Sequence, residues 1–452
     1  MVTFTDDPAA LDLVTAGHRL RSGTLTSAAL TEACLARIDA RNEELRAFIT
    51  VTADLARAAA RDADRELKSG VDRGPLHGIP ISLKDLIDQA GVATTAGSNV
   101  RTLDPVPFDA IVTSRLKAAG AVLVGKTNLH EFAFGTTSEQ TAFGAVRNPI
   151  DPSRSAGGSS GGSAVAVATG MSIASIGTDT GGSIRIPAAA CGVVGLKPAT
   201  GEVPCDGVVP LSRTLDHVGP LTRSVADASA VYHVLARTTP RRPVPRASRG
   251  LRLARLDGYM EARLEPAVRE AYEAAIERLA RDGVILVSRS LPHADDIAAT
   301  YLDIVLPEAA AYHAATLERC PERYQPQTRE RLERGRHVLA EAYLAALARR
   351  HELRAEVDAA LADVDAIVVP GLAIEPPKQG AETITIDGVE EPVRALMLRL
   401  TQGFNLTGHP AIALPCGLTS SNLPASLQLV GQHAGTTALL DVAATVEDTL
   451  RG

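Results

Sequence analysis

Two serines set among glycines, Ser159 and Ser183, stand 24 residues apart in the stretch SAGGSSGGSAVAVATGMSIASIGTDTGGSIRIPAAACGVVGLKP (155–198). Glycine beside serine gives the backbone conformations closed to other residues and lets a substrate carbonyl approach closely. Each serine is therefore a candidate nucleophile. A serine hydroxyl is a poor nucleophile at pH 7 until a base takes its proton. None of the eleven histidines lies in the segment; His217 in HVGP and His409 in GHP are the nearest candidates, and both also read as packed or solvated turn residues. Lys84, near the end of GIPISLKD (78–85), is a third candidate base. It would serve only if burial lowered its pKa by about three units, or about 4 kcal/mol.

The elements that must position these groups read as α/β. Leu30, Cys34 and Ile38 recur at helical spacing after Thr26 and Ser27, and Thr52 precedes an Ala-rich stretch that Gly70 stops, so the first sixty-odd residues read as helical. GIPISLKD alternates, with Ile79, Ile81 and Leu83 on one face and Ser82 and Lys84 on the other, as a strand does. A helix over 108–120 and a strand over 121–125 follow. The serine segment continues the pattern with a helix over about 160–169, a strand over 172–178, a TGGS turn and a helix from Ser183. Both serines thus fall at predicted helix N-termini. ARTTPRRPVPRASRG (236–250) is the clearest linker, after which short strands (251–256, 284–288) alternate with charged helices, notably one over 329–362. AIVVPG and GFNLTGHPAIALPCGL, beyond Asp365, return to the sheet.

Composition sets the limits. The 452 residues are 45% hydrophobic and 22% charged with no Trp and only 3% aromatics, so the core is aliphatic and stacking platforms are not expected. The net charge of −7 argues against nucleic acid as a partner. Five scattered cysteines suggest neither a disulfide framework nor a zinc site. The acidic N-terminus carries no basic n-region, and the charge-free span 155–178 is rich in Gly, Ser and Ala, so no membrane segment is expected and a cytoplasmic enzyme is.

Three other motif readings compete. GGSSG fits GxSxG, but a nucleophile elbow needs a buried strand just before it, and NPIDPSRSA is a loop. GAVLVGKT (120–127) matches a P-loop letter for letter, yet its variable positions form an apolar strand, so Lys126 is not read as phosphate-binding. A purely structural glycine loop would explain GGSSGGS alone but not the second motif.

With GIPISLKD, GGSSGGSA and GTDTGGSIRIPAAACGVVGLKP in this order and spacing, the chain resembles the amidase signature family of serine hydrolases. The resemblance extends at lower density over about 20–235 and 365–450. It implies an α/β/α sandwich, a large mixed twisted sheet covered by helices on both faces, in one domain: N-terminal helices 1–70, signature core 71–235, connection 236–250, a variable, mainly helical substrate region 251–364, and a return to the core over 365–452. Ser183 would be the nucleophile, Ser159 the bridging serine after a cis peptide, and Lys84 the base. The N–H groups of Thr180, Gly181, Gly182 and Ser183 would form the oxyanion hole, with Ser160, Asp179 and Arg185 in support. The loop 128–140 would supply Phe132, Phe134, Gly135 and Thr136 to the substrate pocket.

The resemblance also implies an acyl-enzyme mechanism with no metal or organic cofactor, on small amides and, by chemical nearness, carbamates or esters. The layout is similar to bacterial amidases of aryl amides and carbamates, including urethanases, acting as a monomer or homodimer. The alternative is the amidase subunit of a tRNA-dependent amidotransferase, a glutaminase within a complex. That subunit typically carries a GSYVLSAGYYDAYY-like stretch where this chain reads RGRHVLAEAYLAALARRHELR, so its glutamine-holding positions are not matched here.

Overall fold

The computed structural model describes residues 7–451, so the first six residues of the region expected to be helical lie outside it. In chain order the strands are β1 (Phe48–Val51), β2 (Pro80–Lys84), β3 (Val122–Thr127), β4 (Ala174–Asp179), β5 (Val194–Lys197), β6 (His217–Thr222), β7 (Arg252–Leu256), β8 (Ile285–Arg289), β9 (Ala366–Pro370), β10 (Thr383–Ile386), β11 (Val389–Pro392), β12 (Ala411–Leu418) and β13 (Pro424–Val430). Among the described residues eleven of them form one mixed sheet in the order β1-β3-β2-β4-β6-β5-β12-β13-β9-β7-β8, while β10 and β11 make a separate hairpin. The expected α/β fold with a large mixed sheet between helices is what forms.

The alternation read in GIPISLKD holds, with a consequence for the site. Ile79, Ile81 and Leu83 join an apolar cluster on one face of the sheet with Leu13, Leu116 and Tyr232. Every residue of β2 is nonetheless buried, because β2 runs parallel between β3 and β4 and such interior strands are covered on both faces. Ser82 meets this burial by bonding Ser172 and Ser175 at 3.0 and 2.8 Å. Lys84, on the same face, must find partners inside the protein too.

The charge-free span 155–178 is buried core: the helix Gly161–Ala168 packs against β4, and among the described residues no helix is long and apolar enough to cross a membrane. Small residues are required there. A Cβ on Gly162 would stand 2.4 Å from the carbonyl oxygens of Ala47 and Asn128.

Several expectations need correction. The N-terminal region is not wholly helical, since β1 pairs antiparallel with β3 at the sheet edge. The strands expected at 251–256 and 284–288 do form, as β7 and β8, but they extend the core sheet beyond β9 where a separate insertion was expected. The helix expected over 329–362 is two, Pro326–Gly335 and Ala340–Ala360. The chain turns at Gly335, which lies so close to the helix Ile297–Arg319 that a Cβ would meet Leu306 O at 2.2 Å. Within 236–250 the chain leaves the helix Val225–Ala236 and runs without regular structure, tied to the C-terminal helix Thr436–Arg451 by Arg241 and Asp441 at 2.7 Å.

Candidate active site

Lys84 ends β2, beside the C-terminal end of β4. Its Nζ donates to Ser159 Oγ at 2.7 Å and to Thr178 Oγ1 at 2.8 Å. Burial lowers its pKa to about 7, opposed by the charges of Asp179 and Asp216. The cause lies in position: among the described residues the amine has two hydroxyl partners and no carboxylate at ion-pair distance.

Ser159 follows a cis Gly158–Ser159 peptide. Its carbonyl accepts from His130 N–H and from Ser138 Oγ, both at 3.1 Å, which fixes the loop against the 128–140 segment. Ser160, the N-terminal cap residue of Gly161–Ala168, turns the other way and donates its hydroxyl to Thr178 O at 3.2 Å. Its N–H donates to Ser183 O at 3.1 Å, which ties the two serine motifs together. Lys84 and Ser159 are fully buried, whereas Ser183 keeps 5% exposure, so of the three it alone reaches solvent. Among the described residues no hydrogen bond joins Ser183 Oγ to Ser159 Oγ.

Asp179, at the end of β4, organises the turn that carries Ser183. Its carboxylate accepts from the N–H groups of Gly182 (2.8 Å) and Ile184 (3.1 Å), from Asn405 Nδ2 (2.8 Å), and from Arg185 Nε and Nη2 (3.0 and 2.9 Å). Burial alone would raise its pKa, but the Arg185 guanidinium overrides this and holds it well below the usual carboxylate range. Arg185 in turn donates to Gln428, Asn405 and Thr401 O, so a fully buried charge pair is saturated with hydrogen bonds. One expectation changes here. Gly182 N–H is committed to Asp179, leaving Thr180, Gly181 and Ser183 as the N–H groups of the turn that meet no acceptor among the described residues. Glycine is obligatory at 182, where φ is +137° and a Cβ would lie 2.2 Å from Thr401 Oγ1.

Besides Thr178 beside Lys84, other contributors were not singled out in the sequence. Asp216 accepts from Thr180 Oγ1 at 2.5 Å and from Leu211 N–H at 2.9 Å, and burial pushes it up to about 6. Thr401 Oγ1 donates to Gly181 O at 2.5 Å. Asn405 bridges Asp179 and Arg185. Tyr301, from Ile297–Arg319, holds its hydroxyl over Gly181, where a Cβ would come within 2.6 Å of it. Asp216 and Asn405 lie inside the HVGP and GHP neighbourhoods already flagged by histidine, a usable signal; Tyr301 and Thr401 carry none.

The histidines themselves are structural. His217 bonds Thr200 and Leu215 O at 2.8 Å, and His409 bonds Thr407 and Asp358 at 3.0 Å. Lys126 is spent on a buried ion pair with Asp85 at 2.9 Å, which leaves no cation for a phosphate at 120–127. Of the four expected pocket residues only Thr136 lines the cavity of about 410 Å³ that lies between the 130–140 loop and the helices Ile297–Arg319 and Pro326–Gly335. Phe132 is core, packed on His313 and Tyr324 with ring centroids at 4.3 and 5.7 Å, and Phe134 is equally buried. Gly135 faces the His130 ring, which a Cβ would strike at 2.1 Å.

A family model described as Amidase matches residues 29–440. Among curated proteins, a glutamyl-tRNA(Gln) amidotransferase subunit of Chloroflexus aurantiacus is 39% identical over 96% of this chain and 95% of its own length. Among solved structures, one described as an amidase superposes with a TM-score of 0.92 at 39% identity, covering 97% of this chain and 99% of the other. The corresponding glutamyl-tRNA(Gln) amidotransferase subunit of Thermotoga maritima gives 0.77 at 30% identity, over 98% and 95%.

Proposed function

We propose, from the premise that this chain belongs to the amidase signature family, that it cleaves amide C–N bonds through an acyl-enzyme on Ser183. The observation that carries the reading is Lys84: a fully buried amine with a pKa near 7, in hydrogen-bond contact with Ser159 beside Ser183. Neutral Lys84 takes the proton of Ser159 as Ser159 takes that of Ser183, and Ser183 Oγ attacks the carbonyl carbon. Charge developing on the carbonyl oxygen is received by N–H groups of the Thr180–Ser183 turn, held in place by the saturated Asp179–Arg185 pair. The proton returns through Ser159 to the departing nitrogen, and water then hydrolyses the ester. The Ser159–Ser183 hydrogen bond is the one contact this route needs and the structure lacks; such bonds commonly tighten only in the substrate complex. Carbamates and esters present the same carbonyl to the same nucleophile.

A second reading concerns where the reaction takes place. The curated relatives are named as subunits of the glutamyl-tRNA(Gln) amidotransferase, and at 39% identity over nearly the full length they favour work inside a tRNA-linked complex over a free-standing small-amide hydrolase. A fluorophosphonate probe followed by mass spectrometry tests the shared chemistry: the adduct is expected on Ser183, and an adduct on Ser159 would overturn the assignment. A panel of anilides, carbamates, primary amides and esters, assayed on the purified chain with and without tRNA, separates the settings. Robust turnover by the chain alone, unaffected by tRNA, removes the amidotransferase reading.

A further inference from the structure

Asp179 holds Gly182 and Ile184 of the turn that carries Ser183, but Thr180, at the start of that turn, is held from elsewhere. Thr180 is 1% exposed, and its Oγ1 donates to Asp216 Oδ1 at 2.5 Å. Asp216 in turn closes a tight loop. Its carboxylate accepts from Leu211 N–H at 2.9 Å and from Ser212 N–H at 3.2 Å, and its own N–H donates to Ser212 O at 2.9 Å. The place of the Asp216 carboxylate is therefore set by the place of the 211–216 loop.

That loop is anchored from the region 251–364. Glu308, half-buried on the helix Ile297–Arg319, accepts from Ser212 Oγ at 2.6 Å, from Thr214 N–H at 3.1 Å and from Thr214 Oγ1 at 2.8 Å. The Tyr343 hydroxyl, from the helix Ala340–Ala360, donates to the same carboxylate at 3.0 Å. Among the described residues Glu308 has no cation within 4 Å, so hydrogen bonds alone hold it. Glu318, on the same helix, is the ordinary case: it is 63% exposed and pairs with Arg336 at the surface. Hydrogen bonds to an ionised carboxylate are roughly twice as strong as neutral ones, and a group that receives several is a firm tie for a loop without regular structure. Glu308 also lies about two helical turns beyond Tyr301, on the same face of the helix. One face thus reaches the Thr180–Ser183 turn twice: at Gly181 through Tyr301, and at Thr180 through Ser212, Thr214 and Asp216.

We propose that Glu308 is a positioning residue for the reaction: it fixes the 211–216 loop, and through Asp216 and the Thr180 hydroxyl it aims the N–H groups of the Thr180–Ser183 turn at the developing oxyanion. The proposal rests on the reading of Ser183 as the nucleophile, and the experiment separates the two. The full chain is treated with a fluorophosphonate: Ser183 Oγ displaces fluoride from phosphorus, and the phosphoryl oxygen takes the place of the oxyanion. In Glu308→Ala the rate of the bond-forming step is expected to fall about 10- to 100-fold while the half-saturating probe concentration stays within about twofold, because donors aimed at the transition state are lost and ground-state binding is not. The isosteric Glu308→Gln keeps an acceptor for Thr214 Oγ1 and Tyr343, and is expected to fall between wild type and Glu308→Ala. Glu318→Gln is expected to label as wild type does. Thr180→Val, which removes the hydroxyl that Asp216 holds, is expected to lose a factor similar to that of Glu308→Ala, and the double variant to lose no more than about twofold beyond either. Losses that multiply in the double variant, or wild-type labelling of Ser183 in both Glu308 variants, overturn the positioning role and leave the nucleophile in place. An adduct absent from Ser183 in the wild-type chain overturns the nucleophile reading, and the proposal falls with it.

Discussion

The signature core and the region 251–364 meet at the same cavity but are held by different physics. In the core, the turn that carries Ser183 is held by a charge pair saturated from within: Arg185 and Asp179 satisfy each other and bond Gly182, Ile184, Asn405, Thr401 and Gln428 besides, and Lys126 is matched to Asp85. On the other side of the cavity, Arg331 of the later region and Arg394 beyond it have no ion-pair partner among the described residues, and the ion pairs that do form nearby lie on the surface, such as Arg329–Glu333. The Asp179–Arg185 pair holds one geometry in the core, and the opposite wall carries arginines that no ion pair locks in place.

The comparison can be broken most sharply at the proposed reacting groups. Ser183→Ala and Lys84→Ala are each expected to lower kcat/KM by about 10³-fold or more while the far-ultraviolet circular dichroism stays native. A residual rate within tenfold of wild type for either would remove that residue from the machinery. Arg185→Met strips a buried carboxylate of its counter-charge, and a loss of about 3–5 kcal/mol in urea unfolding is expected. A loss below about 1 kcal/mol would show that the core does not depend on that pair.

The pH profile sharpens the same contrast. As the proposed base, Lys84 works only when neutral, so kcat/KM is expected to fall about tenfold per pH unit below an apparent pKa near 7 and to level off above it. A profile flat from pH 5 to 8 would contradict a lysine base. The smallest effect is expected on the surface of the other region. Arg329→Ala removes a pair whose partners are 46% and 48% exposed, and a change within about 0.5 kcal/mol is expected in the same unfolding assay.

What the sequence made legible follows this division. Ser159 and Ser183 each adjoin their own glycines and are constrained by close approach, and Lys84 sits on an alternating strand, so both local patterns point to the site. Which N–H of the TGGS turn stays free is not local, because it depends on Asp179 curling back onto Gly182. Phe132 and Phe134 resemble pocket residues in a loop, but Phe132 turns inward to His313 and Tyr324, far along the chain. β1 was hidden because four residues between two helices give too short an alternation to read. The split at Gly335 was hidden because the helical pattern of Leu, Ala and charge runs through it, and only the approach to Leu306 O demands the turn.

Tyr301 gives the molecule a constraint of another kind. Its helix belongs to the region that forms the far wall of the cavity, yet its hydroxyl rests on Gly181, one residue from the Gly182 that Asp179 pins. Exchanging residues 251–364 for those of a relative would therefore transplant a contact on the Thr180–Ser183 turn along with the pocket wall. A chimaera that carried no hydroxyl to that point would inherit a new specificity on a loosened turn, and rate and selectivity in this scaffold would then have to be engineered together.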